Sequence, residues 1–299
     1  MQANGVDVEK ARMSRSYLFV PADSERKLKK AGSAGADSLI LDLEDAVLPD
    51  RRPEARLRAA EFLHGSNDAW VRINPMDTDD SLADLEAVMP AGPAGIVLPK
   101  PRSGAELVAL SDRLDALEHQ HGIEHGTTRI IALCTERAEA LFTLYSYKGA
   151  TPRLHALSWG AEDLGAEIGA IENRDRHGAW TATFEMARAF CLLAAAAAEV
   201  AALDTVFTDF RDREGLLRYA GNARRDGFTG MLAIHPSQVE VINSAFLPSE
   251  EEIERARRVV ALFDEHPTAG ALALDGKMID RPHLVQAQRL LRLAACEPN

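Results

Sequence analysis

The chain has 299 residues, 46% hydrophobic and 27% charged, which is ample for a sizeable folded core. Its formal net charge of −12 argues against nucleic acid or an anionic membrane surface as a partner. Its 3 Cys (Cys134, Cys191, Cys296) sit in apolar or helical runs with no CxxC or metal spacing, which suits a reducing cytoplasm.

Residues 1–14 are polar and read as a flexible N-terminus; MQANGVDVEK lacks the apolar centre of a signal peptide. Arg15 to Pro21 reads as a first strand, and Asp23 or Ser24 can cap the helix after it. From Glu9 to Lys30 there are seven Lys or Arg against three acids. Such a stretch either holds the phosphates of an anionic ligand or forms a solvated face. Asp37 to Asp45 is a second strand with an acidic end, followed by a helix from Arg51 to Leu63.

Ala69 to Pro75 is a third strand carrying Arg72. A guanidinium inside a parallel sheet is costly without an anionic partner. A salt bridge to Glu44 or Asp45 satisfies it, and so does a substrate carboxylate. Gly95 to Lys100 is a fourth strand ending in a cation, with a helix to His121. That Lys can form a Schiff base or serve as a structural cation among acids, and the metal-type carboxylates nearby favour the second.

Arg129 to Gly169 is the stretch the rest is organised around. Two short apolar runs, IIALCTE and LHALSWGAED, suit buried strands of a parallel sheet, with a helix expected over Arg137 to Tyr147. A carboxylate ends each: Glu136 the first, Glu162 and Asp163 the second. Such a pair can share a hard divalent cation such as Mg2+, or simply be solvated or cap the next helix.

Residues 164–180 form a Gly-containing polar loop able to fold over a site. A helix from Thr183 to Ala201, a strand from Leu203 to Asp209, a helix from Glu214 to Arg225 and a strand from Gly230 to Pro236 follow. Eight strands alternating with helices make an α/β chain of the (β/α)8 TIM-barrel class, spanning 15–247. Glu44, Asp45, Lys100, Glu136, Asp163, Asp209 and His235 then fall at or just after strand carboxyl ends, where barrel catalysis occurs. His235 reads as a packed strand-end residue, and Asp209 stays unassigned. An open doubly wound sheet would want a Gly-rich loop after the first strand, and Val20-Pro-Ala-Asp-Ser has none. Residues 248–299 form a C-terminal helical extension: a helix starts at Ser249, Leu272 to Asp275 looks extended, and Asp280 opens a last helix as its N-cap.

The segments RSYLFVPA, LILDLEDAV, VRINP, GIVLPK, LSWGAEDLGAEIG, GFTGMLAIHPSQVEVINSAFLPS and LDGKMIDRPH, taken in order, resemble the citrate lyase beta-subunit-like proteins. These belong to the HpcH/HpaI aldolase superfamily with the malyl-CoA and citramalyl-CoA lyases. The resemblance runs from about residue 15 to 295. It implies a Mg2+ site held by Glu136 and Asp163, with Arg72 on the keto-acid oxygens. Glu44 and Asp45 would stand behind them, orienting Arg72 and metal-bound water. Phe19, Arg26, Lys27 and Lys30 would meet CoA. Asp280 would act in acid–base chemistry on a neighbouring subunit of a homotrimer or hexamer, which reverses the N-cap reading.

The implied activity is a Mg2+-dependent carbon–carbon lyase acting on a 3-hydroxy-3-carboxyacyl-CoA, giving acetyl-CoA and a 2-keto acid. The alternatives are a malyl-CoA thioesterase, an aldolase acting on a free 2-keto acid and an aldehyde, or a citrate lyase beta subunit working on an acyl-carrier-protein thioester. Two positions depart from the family pattern. Relatives often read Ile-Glu-Thr around the metal Glu, where this chain has Thr135-Glu136-Arg137; and Ala22 stands where many have Gly.

Overall fold

The computed structural model describes residues 14–66 and 68–295. The expected flexible N-terminus (but for Ser14) and Cys296 lie outside the described residues. The chain divides into two compact units, one running Ser14–Ala245 and the other holding the segment from Phe246 onward.

The first unit is a closed parallel barrel in strand order β1 to β8. Its elements are β1 (Ser16–Pro21), α1 (Glu25–Ala31), β2 (Ser38–Asp42), α2 (Arg52–His64), β3 (Trp70–Arg72), α3 (Asp79–Val88), β4 (Gly95–Leu98) and α4 (Gly104–His121). Then come β5 (Arg129–Leu133), β6 (Leu154–Ser158), α5 (Ala161–Ile168), α6 (Ala182–Ala198), β7 (Ala201–Asp204), α7 (Arg213–Asp226), β8 (Gly230–Ala233) and α8 (Pro236–Ala245). β1 pairs with β2 on one side and β8 on the other, which closes the ring. The barrel interior is filled by Tyr17, Ile40, Trp70, Val97, Ile131, Leu133, Ala156, Leu203 and Leu232, so every strand gives at least one side chain. Gly95 has to be glycine here, because a Cβ would collide with the Trp70 ring.

Several sequence expectations need correction. The helix expected over Arg137 to Tyr147 is two 3-10 segments, Ala138–Phe142 and Leu144–Tyr147. The loop expected from 164 begins only after Ile168, since an acidic first turn carries α5 to that point and Gly169 (φ 70) ends it. β7 stops at Asp204, so Asp209 is an exposed loop residue well beyond the strand end. Ser24 takes the N-cap position of α1 without a side-chain bond.

The second unit is not purely helical. α9 (Glu250–Glu265) starts with a complete capping box between Ser249 and Glu252. β9 (Ala271–Leu274) and β10 (Lys277–Asp280) pair antiparallel, and α10 (Arg281–Ala295) follows. The hairpin turn is Asp275-Gly276, with φ of 52 and 74, the left-handed pair that a tight two-residue turn demands. Ala256, Val259, Phe263, Ile279 and Ala287 make this unit's own small core.

Candidate active site

Five strand ends build one charged cluster. Asp42, the last residue of β2, is in register with Arg72, the last of β3. Its two oxygens accept from Arg72 Nε and Nη2, each at 2.7 Å. The same carboxylate accepts the Glu44 amide at 3.0 Å and the Ala46 amide at 3.3 Å, so it also shapes the turn carrying Glu44 and Asp45. Arg72 Nη1 lies 3.0 Å from Glu44 Oε2 and 3.8 Å from Asp45 Oδ2, and its guanidinium stacks on Phe19 at 4.7 Å. The sequence pointed to Glu44 or Asp45 as Arg72's partner. The principal one is Asp42, and the alternation of LILDLED, with residue 42 and residue 44 on one face, carried that signal.

Lys100 follows β4 and is the cationic hub. Its Nζ is 2.5 Å from Glu44 Oε1, 3.1 Å from Asp45 Oδ1 and 3.1 Å from Asp163 Oδ1. These carboxylates outweigh burial and raise its pKa, so the amine is held as an ammonium and is unsuited to Schiff-base formation. Its backbone amide donates to Glu136 Oε2 at 2.7 Å.

Glu136, three residues past the end of β5, is 4% exposed. Gly160, the N-cap of α5, makes room for it: a Cβ there would stand 2.5 Å from Glu136 Cγ. Asp163 lies in the first turn of α5 and faces Lys100, whereas Glu162 turns away and accepts from Asn173 Nδ2 at 2.8 Å.

The charges do not balance. Among the described residues, the cations that Asp42, Glu44, Asp45, Glu136 and Asp163 meet are Arg72 and Lys100. Burial, with Asp163 and Glu44 adding repulsion, pushes the Glu136 carboxyl well above its ordinary value. Burial likewise pushes Glu44 up to about 7 against the pull of Arg72 and Lys100. Burial also works on Asp45, but Arg72 and Lys100 outweigh it and hold that carboxyl below its usual range. Glu44 Oε2 is buried with no hydrogen-bond donor, its contact to Arg72 being ionic only. A hard cation beside Glu136 and Asp163 would relieve this excess. Among the described residues no group of three or more His, Cys, Asp or Glu is arranged to hold a metal, so such a cation would need further oxygens from water or ligand.

Other strand-end groups are spoken for. Asp204, at the end of β7, accepts from Trp159 Nε1, Tyr219 Oη, the Thr205 amide and Arg188, all between 2.7 and 2.9 Å. That saturation makes it structural, and it was hidden behind the wrong strand boundary. His235 stacks on Phe210 at 4.8 Å and bonds Ser237 Oγ at 2.7 Å, as a packed strand-end residue does. Arg26, Lys27 and Lys30 lie exposed on α1. Asp280, in the second unit, pairs with His283 Nδ1 at 2.5 Å, a partner that the i, i+3 spacing at a helix start offered and the sequence reading missed.

A closed (β/α)8 barrel with a carboxylate-rich cluster on its strand carboxyl ends defines a barrel enzyme of the cation-assisted kind. The HpcH/HpaI aldolase/citrate lyase family model matches residues 15–236, and the chain belongs to that family. It is 34% identical to citrate lyase subunit beta of Leuconostoc mesenteroides subsp. cremoris, over 95% of this chain and 94% of the relative. It is 35% identical to the mitochondrial citramalyl-CoA lyase of Rattus norvegicus, over 94% of this chain and 86% of the relative. Among solved structures it resembles CitE from Mycobacterium tuberculosis in complex with magnesium, acetoacetate and coenzyme A, with TM-score 0.79, 35% identity, and coverage of 95% and 98% of the two chains. Among the described residues no helix is long and apolar enough to cross a membrane.

Proposed function

We propose that the protein is a Mg2+-dependent carbon–carbon lyase. It cleaves or forms a 3-hydroxy-3-carboxyacyl-CoA such as malyl-CoA or citramalyl-CoA, with acetyl-CoA and a 2-keto acid on the other side. The observation that carries the reading is the buried, under-compensated Glu136 beside Asp163 at the barrel's carboxyl end. The ligands of the solved relative and the activity named for the rat relative support it.

Glu136 and Asp163 would hold Mg2+, which when bound supplies Lewis acidity toward substrate oxygens. Arg72 is clamped by Asp42 and braced on Phe19, so its guanidinium meets developing oxyanion charge on the keto-acid side without reorganising. Glu44 and Asp45 fix Arg72 on one side and Lys100 on the other. Phe19 serves this role by stacking. Arg26, Lys27 and Lys30 offer cations to the CoA phosphates. Asp280, with His283 as its proton-exchange partner, protonates the acyl α-carbon in cleavage and deprotonates it in condensation. In this reading Asp280 serves the site of a neighbouring subunit in a homotrimer or hexamer, and residues 248–299 are the extension that carries it there. The buried free thiols of Cys134 and Cys191 fit a cytoplasmic setting.

The test is an assay of the purified protein with malyl-CoA and citramalyl-CoA, in Mg2+ and in EDTA. Mg2+-dependent release of acetyl-CoA with glyoxylate or pyruvate is expected. Release of free CoA with malate or citramalate would replace the lyase by a thioesterase. Turnover only of a carrier-protein thioester would make the chain a citrate lyase beta subunit.

A further inference from the structure

Arg137 stands where relatives of this family often carry Thr, and no step above uses it. It bonds two loops at once. Nε donates to the Lys100 carbonyl at 2.9 Å, and Nη2 donates to Asp77 Oδ2 at 3.0 Å. Asp77 is in turn paired with Arg102, which also reaches Glu139 at 3.2 Å. The segments after β3, β4 and β5 are thereby tied through one guanidinium.

The Lys100 end of that tie is unusual. Lys100 has φ 53, in the left-handed region. The other two non-glycine residues there among those described are Glu199, which caps α6, and Asp275, which turns the β9–β10 hairpin. Both are local turn positions where that conformation is routine. Lys100 belongs to no such turn. Its peptide is held from outside: the amide by Glu136 Oε2 at 2.7 Å, the carbonyl by Arg137. The left-handed backbone lets one residue point its amide at Glu136 and its ammonium at Glu44, Asp45 and Asp163.

We propose that Arg137 is a positioning residue that holds Lys100 in its left-handed conformation and so presets the Glu136–Asp163 pair for a divalent cation. The proposal rests on the reading of that pair as the Mg2+ site. Charge alone predicts the reverse of what positioning predicts. Deleting a nearby positive charge should tighten binding of a dication by Coulomb's law. Deleting the tie should weaken it, as losses of groups that orient ligands do, by about 10-fold.

The experiment uses Arg137→Ala and Arg137→Lys in the full chain, with Mg2+ binding by calorimetry and crystal structures of the metal-free proteins. Positioning predicts a dissociation constant raised about 10-fold in both variants. Lys replaces the planar guanidinium edge, which bonds the Lys100 carbonyl and Asp77 from two fixed nitrogens, with a point-like ammonium on a flexible stem, so the preorganised tie is lost. It also predicts Lys100 reverting to negative φ with its bond to Glu136 broken. Unchanged or tighter Mg2+ binding in Arg137→Ala overturns the proposal, as does Lys100 staying at positive φ. If the wild-type protein binds no Mg2+, the metal reading fails by itself, and the φ of Lys100 in the metal-free variants still decides the positioning.

Discussion

The two ends of the barrel both bury charge, and they treat it in opposite ways. At the amino end, Arg153 just before β6 meets Glu118 from α4. Its Nη1 donates to Glu118 Oε1 at 2.8 Å and its Nη2 to Oε2 at 2.5 Å. The Gly126 and Thr128 amides add bonds of 2.7 and 2.9 Å to the same carboxylate. Burial pulls Glu118 up, but these donors outweigh it and hold its pKa down at about 2. At the carboxyl end, Glu136 receives one backbone amide and two repelling carboxylates, and is pushed well above its ordinary value. A buried carboxylate with its donors complete is part of the scaffold. One left short of positive charge is kept at a cost, and such costs mark sites.

The sharpest way to break this comparison is to neutralise each acid in turn. If Glu136 holds Mg2+ as proposed, Glu136→Gln is expected to cut Mg2+-dependent turnover by roughly 1,000-fold or more, since the anionic donor becomes a neutral amide. In EDTA the same variant should melt no lower than wild type, because it removes repulsion while the Gln carbonyl oxygen can still accept from the Lys100 amide. Glu118→Gln should do the converse. It leaves Arg153 buried with a weakened partner and should cost on the order of 3–5 kcal/mol in denaturant unfolding. Per-molecule kcat and Mg2+ affinity of the folded fraction should stay at wild-type values. A Glu136→Gln protein that unfolds as readily as Glu118→Gln would erase the distinction between the two ends.

Asp280, in the second unit, sharpens the functional side of the contrast. Asp280→Asn keeps the size and removes the exchangeable proton. It should lower kcat by roughly 100-fold with Mg2+ affinity unchanged, measured by steady-state assay alongside calorimetry. Full turnover in Asp280→Asn would return this residue to the role of a helix cap.

Much of this was legible in the sequence for a physical reason. Buried parallel strands are short apolar runs, and the polar residue that stops each run is the one left at the strand's end. Glu136 and Lys100 were placed that way, and so was Arg72. Asp163 was found one step further on, in the first turn of the following helix. What stayed hidden depended on partners distant in sequence. Asp42 looks like one acid among several until the register with β3 sets it against Arg72. Asp204 was passed over because the apolar pattern of LDTVFTD continues beyond the point where β7 leaves the sheet. The 3-10 turns after Arg137 escaped for a related reason, since helical periodicity does not separate one kind of turn from the other. Lys100's positive φ has no sequence signal, because nothing about a Lys after Pro announces it.

The smallest expected effect concerns pH and the amino end again. His155 bonds Tyr17 Oη at 3.2 Å and packs against Trp70 with ring centroids 5.2 Å apart. Burial, helped by the Arg129 cation, lowers its pKa from 6.5 to about 4. Between those two values the unfolded chain binds a proton that the folded chain refuses. Stability therefore falls as pH drops from about 6.5 towards 4 and is restored on returning above 6.5. The contribution is about 2 kcal/mol after allowing for partial exposure. His155→Gln should carry a pH-independent offset from the altered Tyr17 bond and a shallower loss of stability across this window, read from urea midpoints at pH 7 and pH 4.5. Equal slopes in the two proteins would mean that His155 titrates alike in the folded and unfolded chains, and the amino end would then owe its acid response to the carboxylates alone.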